Sequence, residues 1–160
     1  MKNVIYLSLG SNLGDREANL RTAAAGLEPR RLSPIYETSP VDSLDQPFFL
    51  NQVIEAETDL TPLQYLSRTQ EIERELGRVR TTPKGPRTID IDILIFDTRL
   101  IQTARLEVPH PRLHERRFVL VPLADLAPDL GHPVTRRTVR EMLDALPEGD
   151  LVQRWKPLPK

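Results

Sequence analysis

The chain has 160 residues, 39% hydrophobic and 28% charged, with a formal net charge of −1. That length predicts a single domain, 1–160, with core enough to fold without disulfides or a structural metal, and the near-zero charge removes any global pull toward nucleic acid or an anionic membrane. The absence of cysteine excludes a disulfide framework, a thiolate zinc site and a cysteine nucleophile. Residues 4–9, VIYLSL, are too short to span a bilayer, and no leader pattern is read at the start, so a cytoplasmic protein is expected.

Residues 3–9 read as a buried strand. GSNLGDR, 10–16, reads as a turn with a cap that opens a helix to about Leu27. RRLSPIYET, 30–38, is a second strand interrupted by Pro34, which places it near an edge or a bulge. After a loop over 39–47, FLNQVIEAET, 49–58, alternates as a third strand. Thr61, Pro62 and Gln64 compose a capping box with proline in the first turn, and Gly77 suits the residue past the end, so a helix runs to about Leu76. Its inner stripe is Tyr65, Leu66, Thr69, Ile72 and Leu76; Gln70 and Glu73 border that stripe, where they can line a cleft. Residues 77–87 are a basic loop and 88–96 a strand. Residues 99–117 are irregular, with a short strand and tight proline turns; 117–127 is helical with a local break at Pro122. Residues 135–146 are a last helix and 151–155 a closing strand. This order, β-α-β-β-α-β with an α-rich C-terminal extension, predicts an α+β, ferredoxin-like split βαβ fold: an antiparallel sheet with helices on one face.

The strand 88–96 spends two positions on carboxylates. By alternation Ile89, Ile91, Ile93 and Ile95 point one way, and Thr88, Asp90, Asp92, Leu94 and Phe96 the other. Carboxylates at i and i+2 lie about 7 Å apart at Cα, close enough to share one or two metal ions or to repel each other. Partly buried, such a pair needs cations. The preceding loop offers Arg78, Arg80, Lys84 and Arg87. A hard ion such as Mg²⁺ is the other source, since it takes one or two carboxylates and completes its shell with water and substrate phosphates. Arginines beside such a pair suit clamps on a polyphosphate, and a basic loop with Gly, Thr and Pro suits closure over phosphates. Composition and spacing leave metal–phosphate binding and a structural ion-pair cluster both open. A P-loop kinase is excluded, because no Gly-x-x-x-x-Gly-Lys-Ser/Thr run is present.

Phe49 and Asn51 share a strand face, an aromatic platform next to an amide, which suits a flat heterocycle. His110 and His114 have i,i+4 spacing, but Pro111 disfavours helix there and with it a zinc pair. His110 with Arg112, Arg116 and Arg117 is either a second phosphate-facing cluster or a solvated basic turn. Trp155 reads as packing. An RNA-binding module is disfavoured because loop 77–87 carries no aromatic residue, and a metal-dependent nuclease lacks a sufficient ligand set.

LGSNLGDR, YETSPV, QPFFLNQV, TQEIERELGRVR, GPRTIDIDIL and VPHPRLHERRFVLVPLADLAP, in that order and spacing, resemble the 6-hydroxymethyl-7,8-dihydropterin pyrophosphokinase family of folate biosynthesis over nearly the full chain. The resemblance implies a ferredoxin-like fold and transfer of pyrophosphate from ATP to the pterin hydroxymethyl oxygen, releasing AMP. It implies Mg²⁺, two ions, on Asp90 and Asp92, and catalytic roles for Arg80 and Arg87 beside them. Gln70, Glu73, Arg78, Arg80, Arg87, Ile93, Arg105, His110 and Arg116 correspond to ATP contacts. Thr38, Val41, Phe49, Asn51 and Phe118 correspond to the pterin pocket. The implied partners are the two small substrates, ATP and hydroxymethyldihydropterin, with no nucleic acid and no membrane, and a monomer is expected. Some members carry a tryptophan just before the Gly-Pro-Arg of the basic loop; Pro83 and Lys84 stand there in this chain.

Overall fold

The computed structural model describes residues 2–40, 45–77, 88–149 and 151–155. Strand β1 (Asn3–Ser11) leads into α1 (Arg16–Gly26), where the Asp15 carboxylate caps the helix by accepting the Ala18 N–H. Gly10 and Ser11 therefore belong to the strand, and the turn is shorter than the sequence predicts. Pro34 divides the second strand into β2 (Arg31–Leu32) and β3 (Tyr36–Thr38). Strand β4 (Phe49–Thr58) and helix α2 (Pro62–Glu75) follow, the latter with the full Thr61–Gln64 capping box and Gly77 at φ 81° past its end. Then come β5 (Asp90–Phe96), the hairpin β6 (Ile101–Gln102) and β7 (Glu107–Val108), a 3₁₀ turn at Leu113–Glu115, α3 (Arg117–Leu126), α4 (Val139–Asp144) and β8 (Val152–Arg154).

The main sheet has the order β5-β1-β4-β3-β8, with β2 also paired to β4, and its pairings are antiparallel. β3 is thus an interior strand, and only β2 fits the edge expectation. Alternate residues of β1 and β4 feed two separate cores. Ile5, Leu7, Leu9 and Ile54 meet Leu20, Ala23, Tyr65 and Ile72 of α1 and α2. Tyr6 and Val53 meet Val119, Leu120 and Leu123 of α3 and Val139 and Met142 of α4. Helices therefore cover both faces, not one. α3 and α4 bury an apolar sheet face that would otherwise stand in water, each large side chain contributing about 1.5–3 kcal/mol.

The alternation of β5 also breaks. Tyr6 pairs with Ile95 but Leu7 with Ile93, so one extra residue is inserted at Leu94. This β-bulge changes the phase of the strand. Ile89, Ile91, Ile93 and Phe96 pack in the core under α1 and α2, while Leu94 and Ile95 face α3. Ile95 and Phe96 thus exchange the sides that strict alternation assigns them. Pro122 causes no break either: it sits inside a continuous α3. One helical bond is lost there, and the burial of Val119, Leu120 and Leu123 around it holds the turn. α4 starts at Val139 rather than 135, because Thr138 and Glu141 form a second capping box that sets its first turn.

Candidate active site

One row of residues crosses the sheet: Tyr36 opposite Asn51, Asn51 opposite Gly10, and Gly10 opposite Asp90. Paired residues project to the same face. The adjoining rows on that face hold Thr38 with Phe49, and Val53, Ser8 and Asp92. Asp90 and Asp92 are both half-buried. The sequence-predicted platform and the aspartate pair therefore lie on one face, the face that α3 covers further along.

The amide subsite depends on Gly10. A Cβ added there would fall 2.8 Å from Asn51 Nδ2 and 3.5 Å from the Phe49 ring. The Thr38 hydroxyl donates to Asn51 Oδ1 at 2.5 Å. With that oxygen engaged, the Nδ2 hydrogens are what Asn51 offers to a ligand. Gly10 was legible only as a turn glycine; its role comes from lying opposite Asn51 across two strands.

The segment before α3 supplies the charged partners. Arg116 places Nη1 3.8 Å from Asp92 Oδ2 and its guanidinium 5.6 Å from the Phe118 ring centroid. His110 donates its backbone N–H to the carbonyl of Leu94, the bulged residue, at 2.8 Å. The bulge thus tethers the His110 segment to β5. His110 Nδ1 accepts the Arg112 N–H at 3.1 Å, which leaves Nε2 to carry the ring proton. Burial, reinforced by the positive Arg116 and opposed by Asp90, pushes the imidazole pKa down to about 4. The ring is neutral at pH 7.

Glu73 is buried on α2, and its Oε2 accepts the Ile91 N–H at 2.9 Å. It fixes the backbone between the two aspartates. Gln70, one turn earlier, is half-buried. The Ile93 side chain lies in the core, so only its backbone is available to a ligand. Arg105 is exposed on the turn between β6 and β7. Val41 and the loop residues Arg78, Arg80, Pro83, Lys84 and Arg87 lie outside the described residues. Among the described residues, no three His, Asp or Glu side chains group closely enough to hold a metal unaided. Asp90 and Asp92, half-buried at i and i+2 on β5, would suit a hard ion such as Mg²⁺, which takes one or two carboxylates and fills its shell with water or substrate oxygens. No helix among the described residues is long and apolar enough to cross a membrane.

The model of the family "7,8-dihydro-6-hydroxymethylpterin-pyrophosphokinase (HPPK)" matches residues 6–128. The chain belongs to this pyrophosphokinase family. A 2-amino-4-hydroxy-6-hydroxymethyldihydropteridine pyrophosphokinase of Bacillus subtilis is 44% identical over 162 residues, 98% of this chain and 92% of the relative. The Pseudomonas aeruginosa protein of the same name is 45% identical over 149 residues, covering 89% and 91%. The fold also resembles a solved Plasmodium falciparum HPPK-DHPS wild type with pteroate, TM-score 0.72 at 18% identity, covering 90% of this chain and 42% of that one. The chain thus spans less than half of that solved pyrophosphokinase-containing chain. The matched region 6–128 includes the aspartate pair, Glu73, His110, Arg116 and the Thr38–Asn51 pocket.

Proposed function

We propose that the chain transfers a pyrophosphoryl group from ATP to the hydroxymethyl oxygen of 6-hydroxymethyl-7,8-dihydropterin, releasing AMP, in folate biosynthesis. The observation that carries this reading, beside family membership, is the shared sheet face. It sets an aromatic and amide pocket (Phe49, Asn51, Thr38) beside two carboxylates flanked by Arg116. A flat heterocycle in the pocket has Phe49 and Phe118 for ring contacts and the Asn51 amide for orientation. Its hydroxymethyl group then lies toward Asp90 and Asp92. Bound there, Mg²⁺ would supply neutralisation of the phosphate charge. Arg116 offers a fixed guanidinium to the triphosphate, and neutral His110 offers its Nε2–H. Glu73 keeps β5 from shifting under that load. Arg78, Arg80 and Arg87 are proposed as further phosphate contacts, Arg105 and Gln70 as contacts to ATP, and Val41 as part of the pterin pocket.

The element order and the strand order support reading residues 3–96 as a ferredoxin-like split βαβ unit, with the remainder an α-rich extension. A cytoplasmic monomer that uses two Mg²⁺ ions completes the proposal. The test is to incubate the protein with Mg·ATP and the pterin and to separate the nucleotides. Pterin-dependent AMP that disappears with EDTA is expected. ADP, or no nucleotide product, would overturn the reading.

A further inference from the structure

The wall behind Thr38 is the C-terminal strand. β8 pairs with β3, setting Val152 opposite Thr38, Gln153 opposite Glu37 and Arg154 opposite Tyr36. Ser39 donates to the Leu151 carbonyl at 3.2 Å, and Trp155 to the Ile35 carbonyl at 2.9 Å. The short strand that carries Thr38 is thus held between β8 and β4, the strand that carries Phe49 and Asn51. β8 itself is a three-residue strand at the sheet's edge with little hold of its own, so its anchor matters.

That anchor is Trp155. Its indole N–H donates to Glu17 Oε1 at 3.0 Å, and the Arg16 guanidinium lies 4.8 Å from its ring centroid. The same guanidinium, through Nη1, reaches Glu37 Oε2 on β3 at 3.0 Å and the carbonyl of Phe48 at 2.9 Å. Phe48 immediately precedes the platform residue Phe49. Arg16 therefore joins the first turn of α1, the strand of Thr38, the entry to Phe49 and the C-terminal tryptophan. A planar guanidinium can stack on an aromatic face while donating in its own plane, and an ammonium cannot reproduce that geometry.

We propose that Trp155 and Arg16 are positioning residues for the pterin side of the site: the indole holds the guanidinium, and the guanidinium sets where Phe49 and Thr38 stand. This rests on the pterin reading of the pocket given above. Among the described residues, the groups assigned to the metal and phosphate come from β5, at the opposite edge of the sheet order, and from the segment leading into α3. The effect is therefore selective for one substrate.

The experiment is steady-state kinetics against each substrate for Trp155→Ala, Trp155→Phe and Arg16→Lys, with a thermal melt of each. Trp155→Ala raises KM for the pterin by about five- to tenfold and leaves KM for ATP and kcat within about twofold. Trp155→Phe, which keeps an aromatic face, recovers most of the loss, and Arg16→Lys behaves like Trp155→Ala. An unchanged pterin KM, equal rises in both KM values, or a loss of activity that only tracks the loss of folded protein overturns the proposal. Failure of the pocket reading is seen separately, as the absence of pterin-dependent AMP from the native protein, and it overturns both.

Discussion

The carboxylate of Glu73 on α2 and the backbone N–H of Ile91 on β5 meet at 2.9 Å, at the peptide that follows Asp90. Among the described residues β5 is the end strand of the sheet, and this N–H pairs with the Glu73 side chain instead of a further strand. Glu73 is buried, and its removal would leave a donor unsatisfied away from water. Glu73→Ala is expected to cost about 1–3 kcal/mol in a denaturant titration and to lower kcat/KM for ATP. Glu73→Gln keeps an acceptor oxygen and should retain most of the stability. Equal losses in both variants would show that the contact is not what holds β5.

Gly10 should be the most size-sensitive position of the pocket. An alanine methyl would stand 2.8 Å from Asn51 Nδ2, so the amide, whose oxygen accepts from Thr38, would have to shift. Gly10→Ala is expected to lower kcat/KM for the pterin by about ten- to a hundredfold, as a displacement near 1 Å does. ATP affinity should be unchanged when titrated by calorimetry. A variant with native pterin kinetics would mean that Asn51 does not orient the substrate.

Asp90→Asn and Asp92→Asn should each abolish most AMP formation, by on the order of a thousandfold, while the thermal midpoint holds or rises. The stability expectation follows from reducing charge in a like-charged pair. Magnesium-dependent ATP binding should weaken in both. Turnover within tenfold of native in either variant would contradict its assignment as a metal ligand.

Acid stability should centre on Glu55, which lies away from the aspartate pair. Its buried carboxylate accepts two bonds from Arg31, at 2.9 and 3.1 Å, and the Tyr6 hydroxyl at 2.6 Å. The Arg31 bonds, chiefly, hold its pKa below the ordinary 4.5. A depressed carboxylate pKa contributes stability that is full above the unfolded value and is lost as pH falls through the folded one. Native protein should therefore lose thermal stability below about pH 4.5. Glu55→Gln should be less stable at pH 7 and show a flatter decline toward low pH. Parallel pH curves for the two proteins would assign the acid loss to other groups.

Local chemistry was readable without coordinates. Thr61, Pro62, Gln64 and Gly77 bound α2 because capping and a left-handed residue act within a few positions of chain. The ten-residue strand from Phe49 was legible because apolar and polar residues alternate with the period of a pleated chain. Asp90 and Asp92 were placed together because i and i+2 share a strand face.

What needed the tertiary structure is everything set by partners far away in sequence. The bulge at Leu94 depends on how β1 pairs with β5, and one inserted residue exchanges the sides of Ile95 and Phe96. Coverage of the second sheet face depends on where α3 and α4 return. Gly10 matters because it lies opposite Asn51, Glu73 because α2 packs against β5, and Trp155 because β8 closes on β3. The amino-acid sequence determined the elements, the family motifs and the chemistry on offer. Register and packing decided which side chains meet, because a one-residue shift costs little in local propensity yet changes every contact across a strand pair.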